Sequence, residues 1–391
     1  MSNSFKTFLK HTAKDFHNQS VNPPVVRAST IIFKSMKDIR KTQAKAIKNP
    51  TGGHYDYGRQ GTSTTYILQK ILTKLEESYH VFTTPTGFGA VFLAIFSVTR
   101  PGDEIIVADP VYSPTRILTE NFLKEFNIKT TFYDPHDLKT LEKSITKKTK
   151  LIFVENPGSN SFDFQDLGKI VSIAKKHKIL SAMDNTWGTP YFLKPIKLGF
   201  DMAIVSATKY YSGHSDVMGG SLAVNKKVFP KVKAAERITG LRLGPDDAYL
   251  ITRGLRTLDV RLDRHRENAK KVAEFLSKNK KFKLLYPYKK NSYNFRMWKK
   301  YYSGASGLMG VQIKSKNVNS IRKFVNSLKL FGYGYSWGGF ESLALHQEFR
   351  ETGKRKYLKL KKDEHLVRFH IGLEDPSDLI ADIKQALKHL K

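Results

Sequence analysis

Between about Tyr79 and Val224 short apolar runs alternate with stretches of helical spacing. EIIVADP (Glu104–Pro110), LIFVENP (Leu151–Pro157), ILSAMDN (Ile179–Asn185) and MAIVSAT (Met202–Thr208) are mostly apolar and close on polar residues. Each predicts a buried strand rather than a half-exposed one, because apolar side chains fall on both faces. Pro114–Phe126 and Asp166–His177 carry apolar residues at helical intervals. Strands alternating with helices predict an α/β architecture: a mostly parallel, mixed sheet covered on both faces. The carboxyl ends of such strands gather on one edge, where ligands bind. Tyr112, Asn156, Asp184, Asn185, Ser206, Thr208 and Lys209 all fall at those ends.

Beyond this region the spacing predicts one long helix entered at Pro245, with Asp246 and Asp247 in its first turn, of a length that bridges domains. Then come a strand at Gly307–Ile313, a helix near Val318–Leu328, the glycine-rich FGYGYSWGG, a strand at His365–Gly372, and a helix opened by Asp375, Pro376, Ser377 and Asp378. This reads as a smaller α+β domain. The first ~60 residues have weak periodicity and read as an extended arm. The organisation expected is an arm over 1–60, a large domain over 61–250 and a small domain over 251–391.

Composition narrows the chemistry. The 391 residues include no cysteine, which excludes a disulfide scaffold, thiolate metal sites and thiol catalysis. No apolar stretch is long enough to span a bilayer, and MSNSFKTFLKHTAKDF does not read as a secretory signal. A soluble cytoplasmic protein without a membrane partner is expected. The net charge of +32 admits a nucleic-acid partner. The densest basic patch, Lys278–Tyr302, interleaves lysine with aromatics, as a stacking platform would, and equally as a strand–turn–strand with snorkelling lysines would. Basic residues are otherwise scattered and no arginine-rich arm occurs, so a lysine-rich solvated surface without a nucleic-acid partner is the expectation.

Lys209 closes a core strand in SATKYYSGHSD, an uneconomical place for a lysine unless its amine has a chemical task. In a partly apolar pocket the amine sheds its proton and attacks a carbonyl carbon. Asp184 ends the preceding strand and shares its edge. A lysine to bond an aldehyde, with an aspartate to hold a pyridine nitrogen protonated, fits pyridoxal phosphate. TPTGFGAVFLAIF (Thr84–Phe96) adds a turn with Gly87 and Gly89 opening a helix whose first amides can cradle a phosphate. Ser206 and Thr208 offer hydroxyls beside the lysine, and Tyr112 is placed to stack on a flat ring.

The chain resembles the Cys/Met metabolism family of pyridoxal-phosphate enzymes along nearly its whole length. The resemblance is carried in order by YDYGRQGTST, TPTGFGAV, ADPVYSPTR, VENPGS, MDNTWGTPYFLKPIKLGFDMAIVSATKYYSGHSDVMGG, RGLRTLDVRLDRH, YSWGGFESL and VRFHIGLED. It implies the aspartate-aminotransferase-like fold type I, with Lys209 bonding the cofactor and moving the Cα proton. It implies Asp184 on the pyridine nitrogen, and Tyr112 stacking on the ring and orienting the substrate amine. Gly87, Phe88, Ser206 and Thr208 would bind the phosphate; Phe88 stands where relatives often carry methionine. Tyr57 and Arg59 would reach the phosphate and substrate of a neighbouring subunit, implying a homo-oligomer, a dimer paired again into a tetramer. Arg368 would clamp the substrate carboxylate, and Ser336 and Trp337 would line the pocket. Within the family, Trp337 resembles the tryptophan of the branch that cleaves cystathionine by β-elimination. A γ-synthase, γ-lyase or sulfhydrylase shares every cofactor residue and stays open as an alternative.

Overall fold

The computed structural model describes residues 4–12, 20–54, 56–287, 290, 292–347, 355–357, 360–361 and 363–390. Seven strands build the larger sheet: β1 (His80–Thr84), β2 (Glu104–Ala108), β3 (Lys129–Tyr133), β4 (Thr149–Glu155), β5 (Leu180–Asp184), β6 (Met202–Val205) and β7 (Gly220–Val224). Their order is β1-β7-β6-β5-β4-β2-β3. β6, β5, β4, β2 and β3 run parallel, and β7 lies antiparallel between β6 and β1. The four strands expected from the apolar runs are all present.

The sheet explains why those runs carry little alternation. Ile106, Ile152, Met183 and Ala203 enter one core, while Ile105, Leu151, Ala182 and Met202 enter the other. Successive side chains face opposite ways, and both faces are roofed by helices, so nearly every position is apolar. Helix Gly87–Phe96 packs Ala90, Val91 and Leu93 on one face. Helix Ser63–Leu75 places Leu68, Ile71, Leu72 and Leu75 on the other.

A second, antiparallel sheet has the order β10-β11-β9-β8, with β8 at Phe282–Leu285, β9 at Leu308–Lys314, β10 at Leu343–Gln347 and β11 at Glu364–His370. Its core joins Met309, Val311, Val367 and Phe369 to Val272, Phe324 and Leu379 of three covering helices. Because Val367 and Phe369 face this core, Arg368 and His370 share the opposite face of β11.

Three expectations are corrected. The long helix from Pro245 is two helices, Pro245–Leu255 and Leu258–Leu276. Gly254 weakens the join, Thr257 leaves helical geometry, and the Arg261 guanidinium takes the Gly254 carbonyl at 2.7 Å. The first 60 residues are not simply extended. Phe5–Lys10 and Met36–Lys48 are helical, and Leu9 is buried in the main core. Met36–Lys48 buries no residue within the chain. The basic Lys278–Tyr302 patch is strand β8 followed by a helix, Tyr293–Tyr301, started by Ser292 accepting from the Phe295 amide. No helix among the described residues is long and apolar enough to cross a membrane.

Candidate active site

The parallel strands end on one edge, and the residues that follow them build the site. β5 ends at Asp184, whose Oδ1 accepts from the Thr186 amide at 2.9 Å and the Thr186 hydroxyl at 2.6 Å. That hydroxyl also accepts from the Ser206 amide at 2.9 Å, tying the ends of β5 and β6 together. Oδ2 makes no hydrogen bond among the described residues. Burial raises the Asp184 carboxyl above its usual range, opposed by the Thr186 bonds and by Lys209.

After β6 the chain turns, the Lys209 amide donating to the Ser206 carbonyl at 3.1 Å. The Lys209 amine donates to Ser336 Oγ at 2.7 Å and lies 5.4 Å from the centre of the Trp337 ring. Burial lowers its pKa to about 8, the Arg368 charge adding to the shift and Asp184 opposing it. A lysine in that range supplies neutral amine near neutral pH, as a nucleophile or proton carrier needs.

Arg368 spends only part of its fork. Nη2 donates to the carbonyls of Gly334, Tyr335 and Ser336 at 3.1, 2.6 and 3.3 Å. Nε and Nη1 make no hydrogen bond among the described residues, leaving one edge for a carboxylate. Burial lowers its pKa to about 10, so it stays cationic. Trp337 is half-buried against Tyr210, ring centres 5.5 Å apart.

The phosphate cradle has the shape the glycines require. Thr86 caps helix Gly87–Phe96 by accepting from the Gly89 amide at 2.9 Å, while Gly87 and Phe88, as first and second helical residues, have no intrahelical acceptor. A Cβ on Gly87 would sit 2.4 Å from Ser206 Oγ, and one on Gly220 would sit 2.3 Å from the Thr86 carbonyl. The Ser206 hydroxyl therefore stands against the helix start. Thr208 differs: its hydroxyl accepts from the Gly219 amide at 3.0 Å and lies 3.2 Å from the Gly219 carbonyl, so it is committed to its own turn.

Asn156 and Asn185, at the same edge, are structural. Asn156 is buried between Tyr302 and the Gln165 amide, and Asn185 donates to Leu193. Tyr112 is exposed at 47%, and its amide donates to Glu155 Oε2 at 2.6 Å. Tyr57 and Arg59 are not bonded into this group. Arg59 donates to the Arg237 carbonyl at 3.0 Å, and among the described residues no hydrogen bond joins either residue to Lys209, Asp184 or Gly87 of this chain.

Glu155, Thr186 and His370 escaped the sequence reading. Glu155 ends β4 in register with Asp184 and lay unremarked within VENPGS. Thr186 follows Asp184 by two residues, the spacing at which a hydroxyl reaches back to a carboxylate.

An amine with a lowered pKa, a half-buried carboxylate with one open oxygen, and free helix amides on the same sheet edge define a pyridoxal-phosphate site on fold type I. Asp184 Oδ2 suits a protonated ring nitrogen, and the space a Gly87 side chain would fill suits a phosphate. The chain belongs to the Cys/Met metabolism family of pyridoxal-phosphate-dependent enzymes, matching it over residues 6–388. It is 36% identical over 370 residues to a cystathionine beta-lyase of Bordetella avium, spanning 94% of this chain and 92% of that one. It is 35% identical to an L-alanine/L-glutamate racemase of Wolbachia pipientis wMel, spanning 95% and 93%. The crystal structure of cystathionine gamma synthase from Xanthomonas oryzae pv. oryzae in complex with aminoacrylate and cysteine superposes with a TM-score of 0.87 at 27% identity, covering 100% of this chain and 99% of that one.

Proposed function

We propose that the chain cleaves L-cystathionine by β-elimination to homocysteine, pyruvate and ammonia. The observation that carries this reading is the Trp337 indole 5.4 Å from the Lys209 amine, an aromatic wall beside the proton-carrying atom. Pyridoxal phosphate supplies the electron sink that accepts the charge left at Cα. Arg368 holds the substrate α-carboxylate on its open edge, with the two-pronged fit that guanidinium geometry favours. Lys209, whose lowered pKa leaves a usable fraction of neutral amine, takes the Cα proton. Ser336 Oγ accepts from that amine and fixes its direction. Asp184 Oδ2 keeps the ring nitrogen protonated. Trp337 limits how the distal thioether chain lies, so the bond at Cβ is the one presented for cleavage.

Incubation with L-cystathionine, with the keto acid identified, tests the reading. Pyruvate supports it; 2-oxobutyrate as the main product replaces β-cleavage by γ-cleavage. The racemase name among relatives supports a second reading, because racemisation starts from the same Cα proton loss. D-alanine formed from L-alanine without pyruvate would favour that one.

Tyr57 and Arg59 are proposed to complete the site of a neighbouring chain in a homo-oligomer. That no hydrogen bond among the described residues ties either one to Lys209 or Gly87 of this chain supports that role. Arg59→Ala is expected to weaken cofactor retention, and an active monomer by light scattering would remove the proposal.

A further inference from the structure

A second residue of β11 bears on the substrate pocket without facing it. His370 lies two positions after Arg368 on the same face and is 1% exposed. Its Nε2 is 3.1 Å from the Gly338 amide and 3.1 Å from the Gly339 carbonyl. In either tautomer this nitrogen binds that backbone, as acceptor from Gly338 or as donor to Gly339. Its ring packs among Tyr210 and His265, with centres 6.0 and 5.1 Å away.

The backbone so held bears on the reacting amine. Gly338 adopts a φ of +91°, and a Cβ there would lie 3.0 Å from the Lys209 Cα and 2.9 Å from its carbonyl carbon. The two main chains are in direct apposition, which only glycine permits. Immediately before Gly338 come Ser336, which accepts from the Lys209 amine, and Trp337, beside it. Arg368 holds the start of the same turn through the carbonyls of residues 334–336. The far end is tied by the Leu373 amide to the Phe340 carbonyl at 2.8 Å. His370 is the side chain that secures the middle, Gly338–Gly339.

We propose that His370 is a positioning residue that fixes the Ser336–Trp337–Gly338 turn over Lys209 and thereby sets the wall of the substrate pocket. It touches neither substrate nor cofactor. The proposal rests on the site reading given above, and its physical basis is that a buried backbone group losing the side-chain partner it has among the described residues must move to find another. Arg368 would then present its open edge from a displaced carbonyl frame, and the indole would no longer be pressed against Tyr210.

The test compares His370→Leu, which removes the ring nitrogens, with His370→Gln, whose amide reaches the Nε2 position. His370→Asn, polar but too short, serves as the second variant should leucine prevent folding. In the cofactor-loaded enzyme, leucine or asparagine is expected to raise KM for L-cystathionine about tenfold with kcat within about threefold, as expected for misplaced binding groups. Independently of turnover, Trp337 emission, isolated by difference against the same protein carrying Trp337→Phe, should become more accessible to acrylamide. Glutamine should restore both readouts. A folded leucine or asparagine variant with wild-type KM and wild-type Trp337 quenching overturns the proposal, as does glutamine failing to restore what asparagine loses. If the wild type does not cleave cystathionine, the functional reading fails, while the fluorescence comparison still decides the role of His370.

Discussion

Glu155 and Asp184 are register partners at the carboxyl ends of β4 and β5, two carboxyl groups side by side on the edge that holds the cofactor site. Burial first, and the Asp184 charge second, raise the Glu155 carboxyl well above its usual range, opposed by the Tyr112 amide bond and the Arg355 charge. Glu155 Oε2 meanwhile accepts from the Tyr112 amide, linking the carboxyl pair to the residue proposed to stack on the ring.

That relationship has a stability consequence. A carboxyl whose folded pKa is raised stabilises the fold fully below its unfolded pKa, and the contribution is lost as pH rises toward the folded value. Glu155→Gln keeps an acceptor for Tyr112 but removes the titration. The variant is expected to lose less stability than wild type as pH rises from 5 to 8, in thermal melts of the apoprotein. Parallel melting curves for the two proteins across that range would refute a raised Glu155.

The lowered pKa of Lys209 is visible in cofactor capture. Only the neutral amine attacks an aldehyde, so the rate at which apoprotein binds pyridoxal phosphate should rise with pH through an apparent value near the lowered one of about 8, not near 10.5. Asp184 favours the charged amine, so Asp184→Asn should shift that midpoint downward; Arg368→Gln removes an opposing charge and should shift it upward. Lys209→Ala should abolish turnover and the cofactor's visible absorbance. Stopped-flow absorbance at a series of pH values reads all of these.

Gly87→Ala fills the cradle. A methyl placed 2.4 Å from Ser206 Oγ must displace that hydroxyl or the helix start. Cofactor affinity is expected to fall about tenfold or more, the loss of roughly one good phosphate contact. Equilibrium dialysis measures it, and unchanged affinity would place the phosphate elsewhere.

Arg368→Lys retains charge and loses the fork. One ammonium cannot serve the carbonyls of residues 334–336 and also grip a carboxylate in two places. KM for cystathionine should rise at least tenfold while cofactor absorbance stays normal. A folded, loaded variant with wild-type KM would remove Arg368 from substrate binding.

Trp337→Ala tests where the substrate is cut. The variant should keep its cofactor spectrum and lose efficiency on cystathionine, by about 1–3 kcal/mol for a pocket contact of this kind. Pyruvate should also fall as a share of total keto acid. A product ratio and rate equal to wild type would make the indole a packing residue only.

Much of this site was readable from the chain alone because local chemistry there is written in short segments. Lysine after a core strand, aspartate at the next strand end and glycine before an apolar helix are each anomalies against a buried sheet, and their common edge follows from parallel topology. The helix break at Arg256–Thr257 was not readable, since a side chain from the next turn, Arg261, takes the carbonyl that would have continued the first helix. Nor could sequence separate Ser206, whose hydroxyl faces the cradle, from Thr208, whose hydroxyl is bound to Gly219 eleven residues away. The pairing of Glu155 with Asp184, the open edge of Arg368 and the grip of His370 on Gly338 depend on contacts across 29 to 34 residues of chain. Periodicity records which way a side chain faces; which distant group it meets, and whether its bonding capacity is already spent there, is decided only when the strands pair and the two sheets close on each other.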